Sequence, residues 1–318
     1  MITGQGLYPV YGGNGLRGFT ESYNHDGDYI LIGRQGALCG NIRKVTGKTY
    51  VTEHAIAVCA SKENETTFLQ YLFQKMKLGQ YSDQSAQPGL AVNKLLRLNI
   101  NVPSKIEQAK IAKILSLIDE RIITQNKIIE DLKKLKSAIS ERFFTSINGD
   151  VVTLADICDI VKGKQVNGEF LTDSGNYYVM NGGIEPSGYY DDYNTEANTI
   201  SISEGGNSCG YVQFNTTPFW SGGHCYTIQN ITNNVEKLYL YHYLKCNEDT
   251  IMKLRIGSGL PNIQKKDLAK FRVIVPIIEQ QKTISAFLSL LERKVQVETD
   301  ILIAVQSEKQ YLLRQMFI

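Results

Sequence analysis

The sequence predicts a mixed α/β protein made of one globular unit used twice, each copy followed by a long helix. Three observations carry that expectation. The chain has 318 residues, enough for about two domains at roughly 150 residues each. It repeats itself at two neighbouring offsets. Two stretches, each behind a proline, carry apolar residues in steps of four and three, a heptad seam.

The repeat comes first. A shift of 173 pairs Ser85 with Ser258, Pro88 with Pro261, Leu95 with Leu268, Pro103 with Pro276, Gln108 with Gln281 and Ile111 with Ile284. Nearer the start a shift of 170 pairs Tyr8 with Tyr178, Gly12 with Gly182, Asn24 with Asn194, Cys39 with Cys209 and His54 with His224. Spacing held this well over glycines and apolar positions reads as a tandem duplication. The expected boundaries are 1–104 for the first globular part, 105–148 for its helix, 149–275 for the second globular part and 276–318 for the last helix. The second copy opens with about 27 residues, VVTLADICDIVKGKQVNGEFLTDSGNY, before Tyr178, whereas seven precede Tyr8. The first copy is therefore expected to lack a strand and a short helix.

Within each globular part, DYILIGRQGALCGNI and NTISISEGGNSCGYV read as strand, glycine-rich turn, strand. TFLQYLFQKMK and KLYLYHYLKCNEDTIMKL read as amphipathic helices. KLLRLNINVP and DLAKFRVIVP read as strands leading into the long helices, whose starts are marked by Pro103 and Pro276.

The first seam runs Ile111, Leu115, Ile118, Ile122, Gln125, Ile129, Leu132, Lys136, Ile139, Phe143. The second runs Ile284, Leu288, Leu291, Val295, Glu298, Leu302, Val305, Lys309, Leu312, Met316. An antiparallel coiled coil in one register sets Lys136 against Glu298, Gln125 against Lys309 and Ile118 against Met316. It likewise sets Ile122 against Leu312, Ile129 against Val305, Leu132 against Leu302, Ile139 against Val295 and Phe143 against Leu291. A parallel coil would oppose Lys136 and Lys309, so the antiparallel one is expected. Such a coil, about 50 Å long at 1.5 Å per residue, would be a spacer between the globular parts. The other reading open here is that each helix packs on its own globular part.

Composition narrows the function. Apolar residues make up 42% and charged ones 21%, the balance of an ordinary globular protein, with no apolar run of membrane-spanning length and no leader pattern at the start. Six cysteines without a C-x-x-C pair fit reduced thiols, so a cytoplasmic protein is expected. The net charge is +2; residues 1–149 hold 19 Lys and Arg against 13 Asp and Glu, which permits a polyanionic partner. No N-P-P-Y or D-P-P-Y of an amino-methyltransferase occurs, and no H-E-x-x-H or G-x-S-x-G. GNIRKVTGKT has six residues between its glycines where a phosphate loop needs four. A binding module without its own chemistry is the expectation.

The order of globular part, VPSKIEQAKIAKILSLIDERI, globular part, VPIIEQQKTISAFLSLLERKV resembles the specificity subunit of type I restriction–modification systems. The P-x-x-x-E-Q-x-x-I style of helix entry, the turn GSGLPNIQKKDL with its counterpart SAQPGLAVNKL, and the run NGG…SGYY…ISEGGNSCGYV carry the resemblance over essentially the whole chain. It implies two target-recognition domains that read the halves of a split, asymmetric site on double-stranded DNA. It implies helices that dock two modification (methyltransferase) subunits, with restriction subunits joining the full complex. S-adenosylmethionine and ATP would be bound by those partners, so no cofactor is expected on this chain and no membrane. A subunit whose first domain no longer reads DNA, and a coiled-coil scaffold that binds protein, are the alternatives.

Base and phosphate readout needs Arg, Lys, Asn and Gln on loops. The candidates are Asn14, Arg17, Arg34, Gln35, Arg43, Lys44 and Lys48 in the first part. In the second they are Lys162, Lys164, Gln165, Asn181, Ser203, Glu204, Asn207, Lys265 and Lys266. Arg34 and Glu204 are counterparts, and this difference at one loop tip would suit two different target sequences. The shared His54, His224, Cys39 and Cys209 are expected to be structural, and no metal site is expected.

Overall fold

A computed structural model describes residues 2–83, 88–257, 259 and 261–317. The repeated turn calls at Ser85, Ala86, Gln87, Ser258 and Leu260 lie outside these residues. The chain forms two compact units, residues 1–127 with 299–318 and residues 128–298.

In the first unit, β1 (Tyr8–Gly12) and β2 (Gly15–Thr20) form a hairpin, and β3 (Tyr29–Gly33) pairs antiparallel with β4 (Ile42–Val45). The short β5 (Tyr50–Val51) lies parallel to β1, and β6 (Ala55–Val58) completes a sheet of order β4-β3-β6. Helix α1 (Thr66–Met76) covers β3 and β4. Its apolar side chains recur at helical spacing, and Phe68, Leu69, Tyr71 and Leu72 are buried with Ile30. A single helical turn, α2 (Val92–Leu95), precedes the 42-residue α3 (Lys105–Ser146). Ser104 and Glu107 form the box that starts α3, with the Ser104 backbone N–H donating to the Glu107 carboxylate at 3.1 Å.

In the second unit the opening segment supplies β7 (Asp150–Thr153), α4 (Leu154–Ile157) and β8 (Asp159–Lys162). Then follow β9 (Tyr177–Met180), β10 (Tyr189–Tyr190), β11 (Thr199–Ser203), β12 (Val212–Asn215), β13 (Trp220–Ser221) and β14 (Cys225–Gln229). The expected second helix is two, α5 (Lys237–Cys246) and α6 (Glu248–Met252), divided at Asn247. After α7 (Lys265–Ala269), β15 (Arg272–Val275) leads into α8 (Ile278–Met316). The sheets are β12-β11-β14-β8, β10-β9-β13 and β15-β7.

KLLRLNINVP is a correction. It carries the single turn α2 and then residues 98–104 without regular structure, whereas DLAKFRVIVP does form β15. The cause is the partner: β15 is held by β7, and among the described residues no strand pairs with residues 98–104. An isolated strand has no ladder to satisfy its backbone.

The glutamines of the helix-entry motif have a structural task that is the same in both units. Gln108, buried, accepts from the Glu65 N–H at 2.9 Å and donates to the Pro103 carbonyl at 3.0 Å. Gln281 accepts from the Glu236 N–H at 2.7 Å and donates to the Pro276 carbonyl at 2.7 Å. Glu65 and Glu236 in turn cap α1 and α5. Each long helix is thereby locked at its first turn to the start of the domain helix beside it.

Within each unit the long helices run antiparallel. Ala112 and Leu115 of α3 share a core with Leu313 and Phe317 of α8 in the first unit, and Phe144 of α3 shares one with Ile284 and Leu288 of α8 in the second. All seam positions are buried or half-buried. The register differs from the expected one. Lys136 pairs with Glu292 at 2.8 Å, not Glu298, and Lys309 pairs with Asp119 at 2.5 Å, not Gln125. In both cases the partner lies six positions earlier than expected. Glu298 meets Lys294 on its own helix at 2.5 Å. The seam lysines reach carboxylates on the flank, which keep part of their hydration, and this avoids the desolvation of a carboxylate facing them inside the seam.

Candidate nucleic-acid interface

In the first unit the β1–β2 turn stands beside the loop after β3. Gly15 turns the hairpin at φ +101°, and a side chain there would meet the Arg43 guanidinium at 3.1 Å. A cavity of ≈ 300 Å³ opens between the two loops, lined by Gly13, Asn14, Arg17, Gln35, Gly36 and His54. The Gln35 amide oxygen lies 3.0 Å from His54 Nδ1. Asn14, Arg17 and Arg43 are exposed around this cleft. The fold thus gathers Asn14, Arg17, Gln35 and Arg43 into a polar, cationic rim able to offer donors to phosphates and base edges. Lys44 is not free in the same way: it donates to Thr67 Oγ1 at 2.9 Å and sits 3.7 Å from Asp28. Lys48 lies over the Tyr23 ring at 4.8 Å and stays exposed. Arg34 is exposed, and among the described residues its guanidinium has no partner.

A family model described as the type I restriction modification DNA specificity domain matches residues 2–134 and again residues 148–307. The chain belongs to that family. Each match takes in one globular part and most of one long helix, so the family unit is the repeat itself. The chain is 43% identical over 132 residues to the type I restriction enzyme EcoprrI specificity subunit of Escherichia coli, covering 42% of this chain and 32% of that one. It is 32% identical over 154 residues to a type I specificity subunit of Mycoplasma pneumoniae, covering 48% and 41%. These matches span between a third and about two fifths of the relatives' length. The fold is that of the type I S subunit from M. genitalium, with a TM-score of 0.76 at 22% identity over 100% of this chain and 90% of that one.

In the second specificity domain the equivalent loop is built differently, and four candidates, Lys162, Asn181, Ser203 and Glu204, leave the set. Glu204 is only 7% exposed; Lys162 reaches it at 2.6 Å and the Tyr226 hydroxyl donates to it at 3.0 Å. Burial, and then the bond to the Glu204 carboxylate, push the Tyr226 hydroxyl pKa upward. A carboxylate held this way cannot reach a cytosine amino group. Ser203 is buried and donates to the Gly182 carbonyl at 2.7 Å, and Asn181 accepts from the His224 N–H at 3.1 Å. Lys164, Gln165, Asn207, Lys265 and Lys266 are exposed, the last two on α7.

His54 is the residue that sequence reasoning set aside. Sharing between the halves marked it as scaffold, yet it lines the cleft with Gln35. Its position three residues after the β5 strand, opposite a polar glycine loop, is the signal that was present. Among the described residues no group of three His, Cys, Asp or Glu could hold a metal, and no helix is long and apolar enough to cross a membrane.

Proposed function

We propose that this chain is the non-catalytic DNA-reading subunit of a type I restriction–modification assembly, in which each globular unit reads one half of a bipartite, asymmetric site. The observation that carries it is one duplicated scaffold whose exposed polar residues differ: Asn14, Arg17, Gln35 and Arg43 around a cleft in one unit, and Lys164, Gln165, Asn207, Lys265 and Lys266 exposed in the other. Two similar frames with different polar edges suit two different half-sites.

The helices supply the docking faces for two modification subunits. Ile114 and Leu117 on α3 and Phe287 and Leu290 on α8 occupy the same positions in the two copies, and all four are exposed. Large apolar side chains repeated on an open face mark a surface that a partner covers. Methyl transfer, with S-adenosylmethionine, and ATP-dependent cleavage belong to those partners.

The test is co-expression with the cognate modification subunit and mapping of N6-methyladenine in host DNA. A split asymmetric motif is the expected result. Uniform absence of sequence-specific methylation from a stable complex would overturn the reading. Leu117→Asp with Leu290→Asp should abolish complex formation while leaving the melting temperature of the chain unchanged. In a second reading only the second unit reads DNA: among the described residues β6 has one neighbouring strand where its copy β14 has two. Methylation set by a single half-site would select it.

A further inference from the structure

The copied histidines His54 and His224 stand at the same place in their units and are held differently. The carbonyl of each accepts from the N–H of the residue across the glycine loop, Arg34 or Glu204, at 2.9 Å. Each histidine is thereby fixed opposite the loop that follows β3 or β11. Both ring nitrogens of His54 are engaged: Nδ1 lies 3.0 Å from the Gln35 amide oxygen and Nε2 3.3 Å from the Glu53 carboxylate. The second unit has glycine at both places, Gly205 for Gln35 and Gly223 for Glu53. Its histidine has instead the buried Glu204, whose Oε2 stands 3.5 Å from His224 Nδ1. Oε1 of the same carboxylate takes Lys162 at 2.6 Å and the Tyr226 hydroxyl at 3.0 Å. Oε2 is buried and, among the described residues, accepts no hydrogen bond. A buried carboxylate oxygen in that state is costly unless a donor closes on it. The His224 side chain is 64% exposed, and among the described residues nothing engages its Nε2.

We propose that His224 is a phosphate contact of the second half-site, donating from Nε2 to one backbone oxygen of the DNA while Glu204 holds the ring by Nδ1. The inference rests on the DNA reading proposed above and adds one contact to it. Glu204 is a positioning residue. It is too buried to touch DNA, but an acceptor at Nδ1 fixes a proton there and turns Nε2 outward. With Glu204 on one nitrogen and a phosphate on the other, both nitrogens donate, and such charge-assisted bonds are the strong ones. Lys162 offsets the Glu204 charge, so an approaching phosphate does not meet a bare carboxylate. A single donor cannot tell base pairs apart, because that needs a two-point pattern, but it can set the register on the backbone. Gly223 leaves the approach free of charge, whereas Glu53 at the matching place beside His54 would repel a phosphate. His224 is therefore the contact and His54 is not.

The experiment uses the full chain assembled with its modification subunit and a duplex carrying the mapped site, in which one phosphate at a time is made neutral as a methylphosphonate. His224→Ala should weaken binding about tenfold and lower the slope of log affinity against log salt by about 0.9, the value for one phosphate. One neutral phosphate in the half-site of the second unit should cost the natural chain about tenfold and cost the His224→Ala chain nothing. His224→Lys should restore that coupling, since it brings back a cationic donor. Glu204→Gln should cut the coupling to about threefold, because a neutral holder bonds the ring about half as strongly. His54→Ala should show no coupling to any phosphate. Equal losses for the natural and His224→Ala chains at every phosphate would overturn the contact. Coupling to a deazaguanine in the duplex, and to no phosphate, would move the contact to a base edge and overturn the phosphate assignment. Full coupling in Glu204→Gln would overturn the positioning role, and equal coupling at His54 the role given to Glu53 and Gly223. A natural complex that binds every sequence alike would sink the DNA reading and this inference with it. Sequence-specific binding with a flat phosphate scan would sink this inference alone.

Discussion

β6 and β14 are copies of one strand in two surroundings. β14 lies between two neighbours with four of its five residues buried; among the described residues β6 has one neighbour, and all four of its residues are half-buried. The residues that differ most are not in the strands but in what flanks them. Thirteen residues, Asp150 to Lys162, supply two strands and a helical turn, and with them the residues that close the core. The lesson is that copies of one strand differ in burial through what flanks them, because a strand and an extended segment hold their shape only while a neighbour satisfies them.

The largest way to sharpen that contrast is to open the second unit. Leu154 is fully buried, and its backbone N–H donates to the Phe271 carbonyl at 2.8 Å. Leu154→Ala should cost the second unit about 3 kcal/mol through lost burial and a residual cavity. Exchange resolved along the chain should show the loss in residues 128–298 and leave residues 2–83 unchanged. Equal losses in both would mean that the units do not melt independently, and the contrast would have no energetic content.

Much of this was legible in advance, and the failures have causes. The duplication, the α/β class, the two helices and the shortfall before Tyr8 follow from glycine spacing and heptad steps, which are local or self-similar signals. The strand expected in KLLRLNINVP failed because a strand's partner is non-local: nothing within that stretch reveals whether a neighbour pairs with it as β7 pairs with β15. The seam register failed because side-chain reach, not heptad position, decides which carboxylate a lysine meets. Arg17 and Gln35, which the fold brings to one cleft, could be named from residue type alone. Glu204 could not be excluded, because its burial depends on Lys162 and Tyr226, 42 and 22 residues away.

A second test sets His242 against its counterpart Tyr71, both on the domain helix facing the long helix. Tyr71 donates to the Asp119 carboxylate at 2.8 Å, while His242 Nε2 lies 2.9 Å from Ser289 Oγ. Burial first, opposed by the Glu292 carboxylate and aided by Lys136, lowers the His242 pKa to about 4. A folded-state pKa below the unfolded value near 6.5 means the unfolded chain binds the proton first. Stability from this group is full above about pH 6.5 and falls as the pH drops towards 4, by about 2 kcal/mol at pH 5. The second unit should therefore loosen in mild acid while Tyr71 gives the first no such term. His242→Gln should flatten the difference between pH 7 and pH 5 in residues 128–298, measured by exchange or denaturant midpoint. An unchanged pH dependence in that variant would locate the acid sensitivity elsewhere.

The smallest effect concerns the two copied ion pairs. Lys309 and Asp119 are the counterparts of Lys136 and Glu292, yet their settings differ. The Lys309 and Asp119 side chains are 16% and 33% exposed, against 22% and 43% for Lys136 and Glu292. Tyr71 adds a hydroxyl bond to Asp119, and its ring lies 5.3 Å from the Lys309 ammonium. Tyr241 offers Glu292 a longer bond of 3.1 Å. Less solvent and an aromatic face strengthen a charge pair. Double-mutant cycles with Lys309→Met and Asp119→Asn should give about 1 kcal/mol of coupling, and Lys136→Met with Glu292→Gln about half of that. Raising the salt concentration should shrink the second coupling more than the first, because the more exposed pair is better screened. The reverse order would mean that neither exposure nor the aromatic neighbour sets the strength of the pair, and equal couplings would make the two helix copies equivalent clamps despite the unequal domains they carry.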